Sequence, residues 1–193
     1  DFAVAAVPKA VSLVIRTQPE LPLIKGDSSQ LQQVIMNLLI NAAEAIGDEP
    51  GEVRVATTVE TLDAGWIATE FADSPLQPGP YVCLEVRDDG CGMSPETLSR
   101  IFDPFFTTKF AGRGLGLSAM LGIVRAHRGA VRVRSELGAG TTFKVYLPAV
   151  TAPRAAPAAP AAPATLPRGS TVLVIDDEED IRDVVEAVLE SRG

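Results

Sequence analysis

Cysteine is scarce in this chain, histidine scarcer still, and no apolar run is long enough to cross a bilayer. The 193 residues include two cysteines, Cys83 and Cys91, and one histidine, His127. Two cysteines cannot build a disulfide framework, and nothing at the N-terminus resembles a signal peptide, so a reducing, cytoplasmic setting is expected. No segment reaches the ~18 apolar residues of a membrane-spanning helix. Membrane contact by this segment is therefore not expected, although the start at Asp1, close to strand-like sequence, reads as a fragment whose parent could carry an anchor. Positive charge is also short, with 17 Lys and Arg against 25 Asp and Glu for a net charge of -8. Binding nucleic acid through its phosphates needs a basic face that releases counterions, and this balance argues against it. Much of the acidity is local, since residues 168–193 hold three Arg against eight Asp and Glu, a net of -5.

What is present is a hydrophobic fraction of 46%, enough for one well-buried domain and part of another. Residues 149–167 are almost entirely Ala and Pro, the composition of an extended, semi-rigid spacer. The chain thus divides into a domain at 1–148, a linker at 149–167 and a short acidic segment at 168–193. Within the domain, strands are expected at 11–16, 52–60, 81–87, 130–135 and 141–147. A long helix is expected from Ser28 to Ile46, capped by Asp27 with Gln30, a short one after Ser94-Pro95, and another from about Leu115 to His127. Residues 61–79 give no readable pattern. Strands and helices mix without regular alternation, which favours an α+β two-layer sandwich over a doubly wound sheet.

Three places carry chemistry. On the long helix Gln33, Asn37 and Asn41 recur every four residues and drift only about 40° per step, so they form one stripe beside the apolar side of Leu31, Ile35, Leu38 and Leu39. This stripe is either a solvated polar edge or a source of amide ligands, an Asn oxygen being suited to Mg²⁺. At the end of the third strand stands Asp88-Asp89-Gly90-Cys91-Gly92-Met93. It is either an Asp-Gly turn or a carboxylate beside a glycine loop that lets a flat ligand approach. Gly112-Arg113-Gly114-Leu115-Gly116-Leu117 opens directly into a helix, whose free N–H groups and dipole form an anion site. No Gly-Lys-Ser/Thr follows, so it is not a Walker loop, and a dinucleotide fingerprint would need a strand immediately before it.

Four segments in order carry a resemblance: Asn37-x-x-x-Asn41-Ala, Asp88-x-Gly90-x-Gly92-Met93, Phe102-Asp-Pro-Phe-Phe-Thr-Thr-Lys109 and Gly112-x-Gly114-x-Gly116-Leu117. They resemble the N, first glycine, F and second glycine boxes of the sensor histidine kinases, over roughly residues 10–148. The resemblance implies a Bergerat-type (GHKL) ATP site in which Asp88 holds adenine, Gly90 and Gly92 shape its loop, and Asn41 binds Mg²⁺ with Asn37 in support. Lys109 and Arg113 would lie in a lid as phosphate contacts, Lys109 with a catalytic part. Gly114, Gly116 and Leu117 would complete the phosphate site, and Thr141 would sit near adenine. Related ATPases carry a Glu four residues before the Asn to activate water, and here that position is Asn37. The resemblance therefore favours transfer of phosphate over hydrolysis. A nucleotide-binding regulatory module and a GHKL-type ATPase stay open as alternatives. His127 precedes Arg128 and Gly129 at a helix end, unlike the family's acceptor histidine, and is expected to play a structural part there, partly charged against the helix dipole. Finally, Thr171 to Asp180, with the acidic pair Asp176 and Asp177, resembles the start of a response-regulator receiver domain. The implied partners are a histidine-containing dimerisation domain and a receiver domain.

Overall fold

The computed structural model describes residues 10–71, 76–108 and 114–150. The sites expected at Lys109, Gly112 and Arg113, most of the Ala/Pro linker and the receiver-like segment lie outside these described residues. Strand β1, Val11–Thr17, runs parallel to β2, Gly51–Leu62, in the register Val11↔Gly51 to Thr17↔Thr57. Parallel neighbours need a crossover, and helix α1, Ser28–Ile46, supplies it. Asp27 starts α1 as its sequence suggests, with the side chain accepting the Gln30 N–H at 2.9 Å. After β2 come a short helix α2, Ala64–Glu70, and strand β3, Gly79–Asp88. The four-residue helix α3, Pro95–Leu98, follows, then α4, Gly116–Ala126. Strands β4, Ala130–Glu136, and β5, Gly140–Pro148, close the domain as a hairpin. The sheet order is β1-β2-β3-β5-β4, with every pair antiparallel except the first.

This is a mixed α/β sheet with α1 and α4 packed on one face. Val34, Leu38 and Leu39 of α1 and Met120 and Val124 of α4 meet Val53, Val86 and Val145 of the sheet in one core. Burying such a side chain contributes about 1.5–3 kcal/mol. The other residues of the same strands face away and form a second, smaller core, which amends the two-layer expectation. Tyr81, Cys83, Ala130 and Tyr146 are covered there by Ile67 and Trp66 of α2 and by Phe71. The rings of Trp66, Phe71 and Tyr146 meet edge to face at 5.4–5.9 Å. Burial pushes the Cys83 thiol up to about 12, so it stays protonated as a small apolar core residue. Part of the unread stretch 61–79 is thus the end of β2 and a capped helix, Asp63 accepting the Trp66 N–H at 2.8 Å. At the start of the Ala/Pro-rich stretch, Ala149 bridges to Ile24 and the Val150 N–H donates to the Leu23 carbonyl at 2.7 Å.

Candidate nucleotide site

Strand β3 ends at Asp88, a carboxylate that is 3% exposed. Its Oδ1 accepts the N–H of Gly90 at 3.0 Å and that of Thr141 at 3.1 Å. Burial raises the Asp88 carboxyl above its ordinary range, and these two backbone donors pull it back down. Thr141 reaches Asp88 because β3 and β5 pair in the register Asp88↔Thr141. It faces the carboxylate with its N–H, while its hydroxyl meets that of Ser135 at 2.9 Å.

The loop after Asp88 is locked on two sides. A Cβ at Gly90 would lie 2.6 Å from the carbonyl oxygen of Ala45, and the Cys91 N–H donates to that same oxygen at 2.9 Å. Only glycine allows this approach to the last turns of α1. Gly92 has φ +63°, and a Cβ there would overlap the carbonyl oxygen of Glu136 in β4. On the hairpin side the Gly138 N–H donates to the Cys91 carbonyl at 2.7 Å. Gly138 and Gly140 went unread in the sequence, although the Gly-Ala-Gly run before Thr141 is a visible turn signal. Asp89 also takes part, accepting the Glu52 N–H at 2.8 Å.

Two turns back along α1, Asn37 donates from Nδ2 to the Gly116 carbonyl at 3.1 Å, at the start of α4. Asn41 donates from Nδ2 to the Asn37 carbonyl at 2.7 Å, which fixes the direction of its amide. Gln33, the third member of the stripe, is exposed. Helix α4 begins after Leu115 without a side-chain cap hydrogen bond, so among the described residues no N-cap side chain takes up its leading N–H groups. Leu117 packs against the main core and holds this end down. The Phe105 N–H donates to the Gly114 carbonyl at 2.9 Å, which ties the Phe-Phe-Thr-Thr segment to the start of α4. Nearby, the Arg100 guanidinium lies 4.4 Å from the centre of the Phe106 ring. His127 is held at the opposite end of α4, where its Nε2 accepts the Asp27 N–H at 3.0 Å and its Nδ1 lies 2.8 Å from the Ile123 carbonyl, in the structural part expected of it.

The amides of α1, the glycine loop after β3 and the glycine-rich start of α4 thus converge on one helix. Residues 26–151 match the family described as histidine kinase-, DNA gyrase B-, and HSP90-like ATPase. The chain belongs to this family. It is 38% identical to the sensor kinase CckA of Brucella abortus over 97% of this chain and 20% of that protein. It is also 38% identical to the signal transduction histidine-protein kinase AtoS of Escherichia coli over 75% of this chain and 21% of that protein. Among solved structures, full-length ShkA in complex with AMPPNP is similar at 30% identity and a TM-score of 0.59, covering 78% of this chain and 29% of that one. The mycobacterial sensor histidine kinase MprB is similar at 27% identity and a TM-score of 0.55, over 72% of this chain and 83% of that one. The chain therefore carries the ATP-binding catalytic domain of a sensor histidine kinase, and it spans about a fifth of the length of CckA and AtoS.

Proposed function

We propose that this domain binds Mg-ATP and positions the γ-phosphate for transfer to a histidine on a separate dimerisation domain, from which a receiver domain takes it. The observation that carries this reading is the placement of both halves of the site on α1. The Asp88 loop is pinned at Ala45 and the start of α4 at Asn37. Eight residues of helix separate them by about 12 Å, close to the span from a purine to its terminal phosphates. In this reading Asp88 accepts the exocyclic amine of adenine, beside a loop whose glycines admit the flat ring. The leading N–H groups of α4 face the phosphates, with Lys109 and Arg113 as further contacts. ATP brings its own negative charge, and no cluster of carboxylate, His or Cys ligands stands among the described residues. A fixed amide oxygen from Asn41 fits Mg²⁺ under those conditions, because this ion takes few protein ligands when phosphates supply the rest. When bound, Mg²⁺ would neutralise developing phosphate charge.

Asn37 stands where a hydrolase of this fold would need a base. Its amide has no basic nitrogen and already donates to Gly116. Catalysis by this chain therefore amounts to orientation and charge neutralisation. Calorimetric titration of ATP with and without Mg²⁺ tests the reading. Wild type should gain affinity with the metal, and Asn41→Ala should lose chiefly that gain. Equal losses in both conditions would remove Asn41 from the metal.

A further inference from the structure

His127 is the last residue of the α4 region, and both of its ring nitrogens are engaged. Nδ1 lies 2.8 Å from the Ile123 carbonyl, an acceptor only, so Nδ1 carries the proton. Nε2 lies 3.0 Å from the backbone nitrogen of Asp27, a donor only, so Nε2 is bare. These two bonds select one neutral tautomer. The second of them crosses from α4 to the residue that caps α1. Gly26 makes room for it, since a Cβ there would lie 2.6 Å from His127 Cδ2 and 2.9 Å from Nε2.

The helices α1 and α4 run antiparallel, and a side-chain bond joins them at each end of their overlap. Asn37 to Gly116 is one and His127 to Asp27 is the other. From Asp27 to Asn37 is ten residues and from Gly116 to His127 is eleven. Both are about 15 Å of helix. With both bonds made, α4 cannot slide along α1. We propose that neutral His127 is a positioning residue for the phosphate half of the site: it fixes the axial position of α4, and so the distance from the leading N–H groups of that helix to Asn41. Protonation places an N–H at Nε2 against the Asp27 N–H and opens the clamp. Lys25, Arg125 and Arg128 are the cations near the ring, and Asp27 is the carboxylate, its side chain turned to Gln30. The packed residues of the β5 end, Pro148, Ala149 and Val150, are uncharged.

The inference rests on α4 serving phosphate, and its test separates the two. His127 is the only histidine, so the imidazole ¹⁵N signals of the whole chain belong to it alone and need no nucleotide. At about pH 8 they should report the Nδ1–H tautomer; the Nε2–H tautomer would overturn the clamp whatever the chain binds. ATP and adenosine are then titrated at the same pH, about 8. His127→Phe keeps the ring bulk and removes both bonds. It should weaken ATP about fivefold and leave adenosine unchanged. Gly26→Ala retains the histidine and displaces its ring, so it should reproduce the ATP loss if the Phe variant folds poorly. Equal ATP affinity in wild type and in both folded variants would end the proposal. Loss of ATP and adenosine binding alike in wild type would instead count against the nucleotide site.

Discussion

At Asp88 burial holds the carboxyl above its ordinary range, while the Gly90 and Thr141 N–H groups oppose the shift. The folded state therefore keeps a proton that the unfolded chain gives up. In the window from the ordinary value of 3.8 up to the raised one, this group's contribution to stability grows as pH falls and is lost as pH rises through the folded value. Above the raised value the domain carries a desolvated charge that costs stability, and in the proposed site that charge would accept the adenine amine. Asp88→Asn tests this trade. The Asn oxygen can accept from Gly90 and Thr141 as before, but its NH₂ then points a donor at the adenine amine. Thermal melting should shift upward at neutral pH, and calorimetry should show ATP weakened at least tenfold, in line with roughly 1.5–3 kcal/mol for a hydrogen bond to a charged group. Unchanged affinity in the folded variant would remove Asp88 from the adenine contact. The carboxylate was legible in the sequence because it ends a strand and precedes two glycines. Its partner at Thr141 lies 53 residues on. Resemblance placed Thr141 near adenine through its hydroxyl, whereas strand register alone brings its N–H to the carboxylate.

Elements were most legible where one face is buried over several turns or pleats. The Asn stripe and the apolar residues beside it read as a helix from Ser28 to Ile46, and that is its observed extent. Strand limits in the structure extend the readings by one or two residues at most ends. Helix α2 escaped because seven residues hold too little period to distinguish it from a loop, although Asp63 is a good cap. The second core was hidden for a related reason: Tyr81 and Cys83 are buried opposite Leu84 and Val86, so β3 lacks a polar face at its start. The glycine loop is the element where backbone freedom matters most. At Gly92 the positive φ alone costs a side chain about 1–3 kcal/mol, and overlap with the Glu136 carbonyl adds to it. Gly92→Ala should lower the unfolding free energy from urea titration by at least that amount and weaken ATP together with it, because the Cys91–Gly138 and Cys91–Ala45 bonds cannot both persist. A variant as stable as wild type would show that the loop is not held between α1 and the hairpin.

For the whole molecule, the family was legible because four short boxes recur in order, and the fold explains that order. The first box lies within α1, the first glycine box follows β3 and is pinned to Ala45 of α1, and the second opens α4 beside Asn37, so spacing along the chain reflects how far the chain must travel to return to α1. The phosphotransfer chemistry is less complete within these 193 residues. His127, the only histidine, is tied to Asp27 and Ile123 and stands one helix length from the start of α4, so it is badly placed to receive phosphate. Asn37 offers no base for water. Incubated with labelled Mg-ATP, the chain should therefore bind nucleotide, stay unlabelled and release phosphate slowly. Supplying a separate histidine-containing dimerisation domain should produce an acid-labile phosphohistidine on that domain. Concentration then replaces the proximity that a covalent link provides, so the rate should rise in proportion to added domain. Phosphate on His127, lost in His127→Ala, would refute its structural assignment. Rapid phosphate release by the chain alone would instead place the domain with the hydrolases of its fold.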